Sequence, residues 1–196
     1  MLDRKMLLIK ERVGFLKFVD TFDIYDPATG AQIGIARENT SILLKLLRLL
    51  INKRLLPTRV EVRERDDTPV LMTLRRGASI LTARVSVRDA MDAEIGLFKS
   101  KLFSLGGGFH VLDAHQQPIA DVKGDWKGWN FRFLAPDGGE LGTVTKKWAG
   151  LGKELFTSAD NYIISITDPE MTGPAASVLL LAAGISIDIV FKEKSG

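Results

Sequence analysis

The chain has 196 residues, 45% of them hydrophobic and 26% charged, with no cysteine and a formal net charge of +3. That length suits one large domain or two small ones with a real core, and the interspersed charges exclude a disordered tail or a polytopic membrane protein. Without cysteine there is no disulfide framework, thiolate nucleophile, cysteine zinc site or palmitoylation.

At the N-terminus, MLDRKMLLIKERVGFLKF interrupts its apolar residues with a charge every few positions. It lacks the continuous apolar stretch of a secretory signal, so a cytoplasmic protein is expected. Within it, KMLLIK at 5–10 alternates like a strand.

From Phe22 onward one pattern returns five times: FDIYDPATGAQIG, VEVRERDDTPVL, VSVRDAMDAEIG, FHVLDAHQQPIA and FRFLAPDGGELG, starting at residues 22, 60, 85, 109 and 131. Each copy opens with apolar residues at alternate positions, which share one face of a strand, then passes through turn residues into a second apolar strand. Five β-hairpins follow. Asp26, Glu64, Asp89 and Asp113 recur at one hairpin position, where Ala135 stands in the fifth copy. Recurrence at a turn points to capping rather than catalysis. With KMLLIK and NYIISI at 161–166 added, the strands number about twelve, and a sheet that large curls or closes to remove its edges.

Only the first interval between hairpins is out of step, by about fourteen residues. The excess is SILLKLLRLLINKRLL, with Asn39, Thr40 and Ser41 available as N-caps and Pro57 beyond its end. Its spacing predicts a helix over 42–54. From Asn39 to Val60 the five charged residues Lys45, Arg48, Lys53, Arg54 and Arg59 are all basic. At 100° per residue Lys45, Arg48 and Asn52 fall within about 60° of one another, and leucines with Ile51 cover most of the rest. Such a basic amphipathic helix suits a lipid interface; alternatively its leucines close one end of the barrel and its cations face water.

Further along, GGG at 106–108 leads into a strand rather than a helix and permits a tight bend. His110 is in strand phase opposite Phe109 and Val111, and His115 is in the next turn, without partners at metal spacing. Trp126 and Trp129 in KGDWKGWNF, and Trp148 after Lys146 and Lys147, combine rings with cations. Membrane interfaces and nucleic-acid surfaces both favour that combination, and packing against the sheet accounts for it equally. No GxSxG nucleophile elbow or P-loop ending is present.

Thirteen consecutive positions, Ala175 to Ile187, carry no charge. Pro174 fits the first turn of a helix, and a helix apolar on every side belongs in lipid or in a core. At about 1.5 Å per residue the run spans roughly 20 Å, short of the ~30 Å hydrocarbon layer but matched to the interior of a closed sheet. A buried central helix over about 174–190 is expected, within one domain spanning 1–196.

GLGKELFTSADNYIISI at 150–166, LLLAAGISIDIVFKE at 179–193, IGLFKSK, VKGDWKGWNF and LGTVTKKW resemble the phospholipid scramblase and LURP-one-related family. The likeness covers nearly the whole chain and is strongest to the short bacterial scramblase-related type. It implies a mainly β, tubby-like fold: a twelve-stranded closed barrel around a C-terminal hydrophobic helix. Its members differ in activity. Mammalian scramblases are linked to calcium-dependent lipid movement through an acidic stretch before the final helix, tubby proteins bind phosphoinositides, and plant LURP-one proteins have a defence role. Here the matching stretch is SADNYIISITDPEM, with Ser158 where an aspartate is expected. Asp160, Asp168 and Glu170 are the calcium candidates, but calcium takes six to eight closely spaced oxygens and an apolar strand separates these residues. No metal or cofactor is therefore expected.

The reading that results is a non-enzymatic phospholipid-associated protein, peripheral on anionic surfaces, with Lys45, Arg48, Lys53, Arg54, Trp126 and Trp129 in contact with lipid. Alternatives are nucleic-acid or transcription-related binding, supported by a pI near 9.2 and the Trp and Lys clusters, and a protein-interaction scaffold using the leucines of the 42–54 helix.

Overall fold

In the computed structural model, the chain is described at all residues except 2, 13–18, 48–49, 52–54, 79–81, 102–106, 126, 147–160, 168–173 and 192–196. Twelve strands form one closed barrel in which every neighbouring pair is antiparallel. Strand β1 is Met6–Glu11. The five expected hairpins follow: β2 (Thr21–Tyr25) with β3 (Gln32–Glu38), β4 (Thr58–Arg63) with β5 (Met72–Arg76), β6 (Arg84–Asp89) with β7 (Glu94–Ser100), β8 (Gly108–Asp113) with β9 (Pro118–Asp125), and β10 (Asn130–Leu134) with β11 (Glu140–Thr145). Strand β12, Asn161–Ile166, pairs with both β11 and β1, and the β1–β12 ladder from Met6↔Ser165 to Lys10↔Asn161 closes the wall.

Alternation carries through to burial. Phe22, Ile24, Val60, Val62, Val85 and Val87 point inward and are fully enclosed, while their neighbours face out. Phe98 and Phe109 meet edge to face across β7 and β8, their ring centroids 6.1 Å apart, an arrangement that suits the aromatic quadrupole. Three of the four recurring acids, Asp26, Asp89 and Asp113, cap their turns. Oδ1 of Asp26 accepts from the Ala28 amide, that of Asp89 from Met91 and Ala93, and that of Asp113 from His115 and Gln117. In the fifth hairpin Asp137 takes over, accepting from Gly139. Asp92 and Gln116 adopt positive φ in the third and fourth turns, as Gly30 and Gly138 do in the first and fifth.

Two helices are described, α1 (Ile42–Leu47) and α2 (Pro174–Phe191). Helix α2 runs through the barrel: from Ser177 to Val190 only Leu179 is more than marginally exposed. It presses so closely on the wall that a side chain at either of two glycines would make its neighbour shift. A Cβ on Gly184 would stand 2.5 Å from Ile164 Cδ1 and 3.3 Å from the Tyr162 ring, and one on Gly96 would stand 2.7 Å from Leu179. The last turn of α2 offers carbonyls without intrahelical partners. Buried Arg76 on β5 meets one of them, Nη1 donating to the Ile189 carbonyl at 2.8 Å while Nη2 donates to the Leu56 carbonyl and Thr58 Oγ1, both at 3.2 Å. A cation there also complements the helix dipole. The Tyr162 hydroxyl, by contrast, is buried without a hydrogen-bond partner among the described residues. Burial, then the charges of Asp188 and Glu11, raises its pKa well above the ordinary phenol value, so the ring stays neutral.

These contacts predict opposite outcomes for two small changes. Gly184→Ala forces β12 and α2 apart and lowers stability by about 1–3 kcal/mol. Tyr162→Phe removes an unpaired hydroxyl and leaves stability unchanged or raised. Urea denaturation of both variants beside the parent checks the contrast.

Candidate functional site

Among the described residues the exposed large apolar side chains, Met91 apart, gather at one place. After β3 ends at Glu38, Ser41 Oγ accepts from the Leu44 amide at 3.4 Å, the geometry of an N-cap, and α1 begins. Among the described residues Ile42 is 76% exposed, Leu43 67%, Leu46 57% and Leu50 86%. Ile51 and Leu55 are exposed as well. These side chains do not close the barrel end, which corrects that alternative for the residues named. Of the 42–54 expected, Ile42–Leu47 is helix and the amides of Leu50 and Ile51 both donate to the Leu47 carbonyl in a turn, while 48–49 and 52–54 lie outside the described residues. A short helix is marginal when its apolar face packs on nothing, since tertiary burial supplies most helical stability. The segment returns to the wall at Leu56, which is buried and whose carbonyl Arg76 holds.

At the foot of this segment the outer face of β3 and β4 carries a charge network. Arg59 and Arg63 flank Glu61 on the same face of its own strand, and the pairing of β3 with β4 brings Asn39 across to the same carboxylate. Glu61 accepts from Asn39 Nδ2 at 3.0 Å and from Arg63 Nη2 at 2.9 Å, and Arg59 lies 3.0 Å away. Burial raises the Glu61 pKa, but those hydrogen bonds and the charges of Arg59 and Arg63 outweigh it and hold the carboxyl below its ordinary 4.5. Sequence reading missed this hub. The alternation Arg59, Glu61, Arg63 in TRVEVR was visible, but nothing in the sequence revealed which strand faces it.

The other expected residues fall differently. The side chain of Lys45 and all of Arg48, Lys53, Arg54, Trp126, Asp160, Asp168 and Glu170 lie outside the described residues. Trp129 is half-buried at φ 46°, its ring 5.4 Å from Tyr162 and 6.3 Å from Phe131, with Lys146 Nζ 4.2 Å above it. That is a packed ring with a cation–π cover. His110 faces solvent and bonds Asp121 through Nδ1 at 2.8 Å, and Lys101 Nζ reaches the same carboxylate at 3.1 Å. His115 stands apart in the β8–β9 turn.

A family model described as Scramblase matches residues 20–194. The chain belongs to the scramblase family. No solved structure matches it. Membership relates this scramblase-family barrel to phospholipids. Among its described residues no helix is long and apolar enough to cross a membrane, and α2, which the sequence singled out for its apolar run, is enclosed by the strands.

The Glu61 hub gives a pH signature. Because its folded pKa lies below the ordinary value, its contribution is fully present above about pH 4.5 and is lost as pH falls through the folded value. Glu61→Gln is expected to lower the melting temperature at pH 7, with the gap to the parent narrowing below pH 4.5, as followed by thermal denaturation across that range.

Proposed function

We propose that this protein is a non-enzymatic, peripheral binder of anionic phospholipid surfaces at the cytoplasmic face of a membrane, docking through residues 42–55. The observation that carries the reading is the exposure of Ile42, Leu43, Leu46 and Leu50 on a stretch whose charged residues are all basic. Burying an exposed aliphatic side chain of this size is worth about 1.5–3 kcal/mol. Each cation near an anionic surface adds about 1 kcal/mol. A single short lipidic anchor gives reversible attachment, and apolar residues combined with cations supply the two signals that peripheral binding takes. Family membership supports phospholipid as the partner. The apolar exposure gives nucleic acid no comparable role, whereas a protein partner on the same leucines is the second reading.

The full chain, purified without detergent, is expected to co-sediment with phosphatidylglycerol vesicles and not with phosphatidylcholine vesicles, in a salt-sensitive manner. Reversing Lys45, Arg48, Lys53 and Arg54 to Glu, or combining Leu43→Ser, Leu46→Ser and Leu50→Ser, should reduce binding tenfold or more. Indifference of the parent to both vesicle types, with concentration-dependent self-association, would move the segment to the protein-partner reading.

A further inference from the structure

Beside the Glu61 hub lies a cavity of about 380 Å³ on the outer wall of β3 and β4, within the ~300–1,000 Å³ span of small-molecule sites. Its walls include Arg37, Asn39, Thr40, Glu61, Arg63 and Asp66. Arg63 is fixed in place, one nitrogen on Glu61 and another donating to the Thr68 carbonyl at 2.6 Å. A guanidinium has five donors, so this one keeps hydrogens for a ligand. Among the described residues Arg37 pairs with Asp66, at 3.1 Å, and both side chains are about half exposed. An exposed ion pair of that kind is weak and exchangeable. The Thr40 hydroxyl is buried and has no hydrogen-bond partner among the described residues.

Three properties narrow the ligand. The first is charge: among the described residues two guanidinium groups, Arg37 and Arg63, share the cavity with three carboxylates, Glu38, Glu61 and Asp66, so it offers both signs. A polyphosphate meets that acid as repulsion, and a simple cation meets the arginines, whereas a zwitterion carrying one phosphate and one ammonium satisfies both signs. The second is composition, because among the described residues no aromatic ring lines the cavity. Quaternary ammonium groups are recognised by aromatic cages, while a primary ammonium donates hydrogen bonds to carboxylates. The third is position. Asn39 and Thr40 lead directly into α1, so the cavity sits at the foot of the segment assigned above to the lipid interface.

We infer that this cavity binds the phosphoethanolamine headgroup of a phospholipid. The phosphate bridges Arg37 and Arg63, displacing Asp66, whose freed carboxylate takes the ammonium. As a lipid site it rests on the peripheral-binding reading; as a headgroup site it can be tested without a membrane.

The test begins with calorimetric titration of the full chain in solution with phosphoethanolamine, phosphocholine, inositol trisphosphate and inorganic phosphate. Phosphoethanolamine should bind saturably and at least tenfold more tightly than the other three. Arg37→Gln and Asp66→Asn should each weaken it tenfold or more without shifting the melting temperature. Inorganic phosphate or inositol trisphosphate binding as well as phosphoethanolamine would overturn the assignment, as would variants that bind like the parent. The second arm compares vesicles of equal phosphatidylglycerol content filled out with phosphatidylethanolamine or with phosphatidylcholine. Tighter binding to the former, lost in Arg37→Gln, identifies the lipid as the source; soluble binding with no vesicle preference would overturn the lipid source while leaving a site for the free headgroup. Loss of vesicle binding in the Leu43, Leu46 and Leu50 serine variant, with the soluble affinity retained, separates the membrane reading from this one.

Discussion

A helix that is apolar on every side can persist in water only if something encloses it, and the rest of this protein follows from that need. Helix α2 has no polar face to offer solvent, so the strands surround it. Glycines at 96 and 184 let wall and helix approach to contact distance, and Arg76 meets a carbonyl in its last turn. The cost of burying a guanidinium is offset because it donates to three acceptors at once, tying α2, β5 and the approach to β4 together.

Among the described residues the carboxylates of the turns and the outer wall are well paired. Acidic residues that recur along the sequence are spent on turn amides, and Glu61 and Asp121 each gather two or more donors on the outer wall. Against that economy the leucines of residues 42–50 stand out. Apolar atoms are common on any surface, but several large aliphatic side chains exposed within one short segment are a feature that asks for a partner. The barrel holds this segment at both ends, through the β3 ladder before it and Leu56 after it. Its exposed part is thus presented by a rigid base.

Much of the architecture was legible because its signal has a period of two. Alternation in the five repeats, and in KMLLIK and NYIISI, placed all twelve strands, and the all-apolar run marked the enclosed helix. The reading of the α1 region was less complete for a physical reason: its spacing is helical well beyond Leu47, but periodicity reports what a helix would look like, not whether anything packs against it. The Glu61 network was invisible for another reason. Asn39 reaches Glu61 through the pairing of β3 with β4, and register depends on the closed wall as a whole. The basic amphipathic stretch left lipid as one reading among several, and family resemblance supplied the link to phospholipid.

Because each strand pairs with its neighbours in the chain, nearly every ladder can form locally; only the β1–β12 seam joins distant parts. Yet α2 follows β12 in the chain and ends up inside. A wall sealed first would shut its own core out. The seam must therefore wait for the helix, or the hairpins must assemble around it, so that an element made after all twelve strands governs when the barrel can close. Until then the strands bordering the open seam have unpaired backbone groups exposed, and the speed with which α2 docks sets how long the nascent chain is open to mispairing.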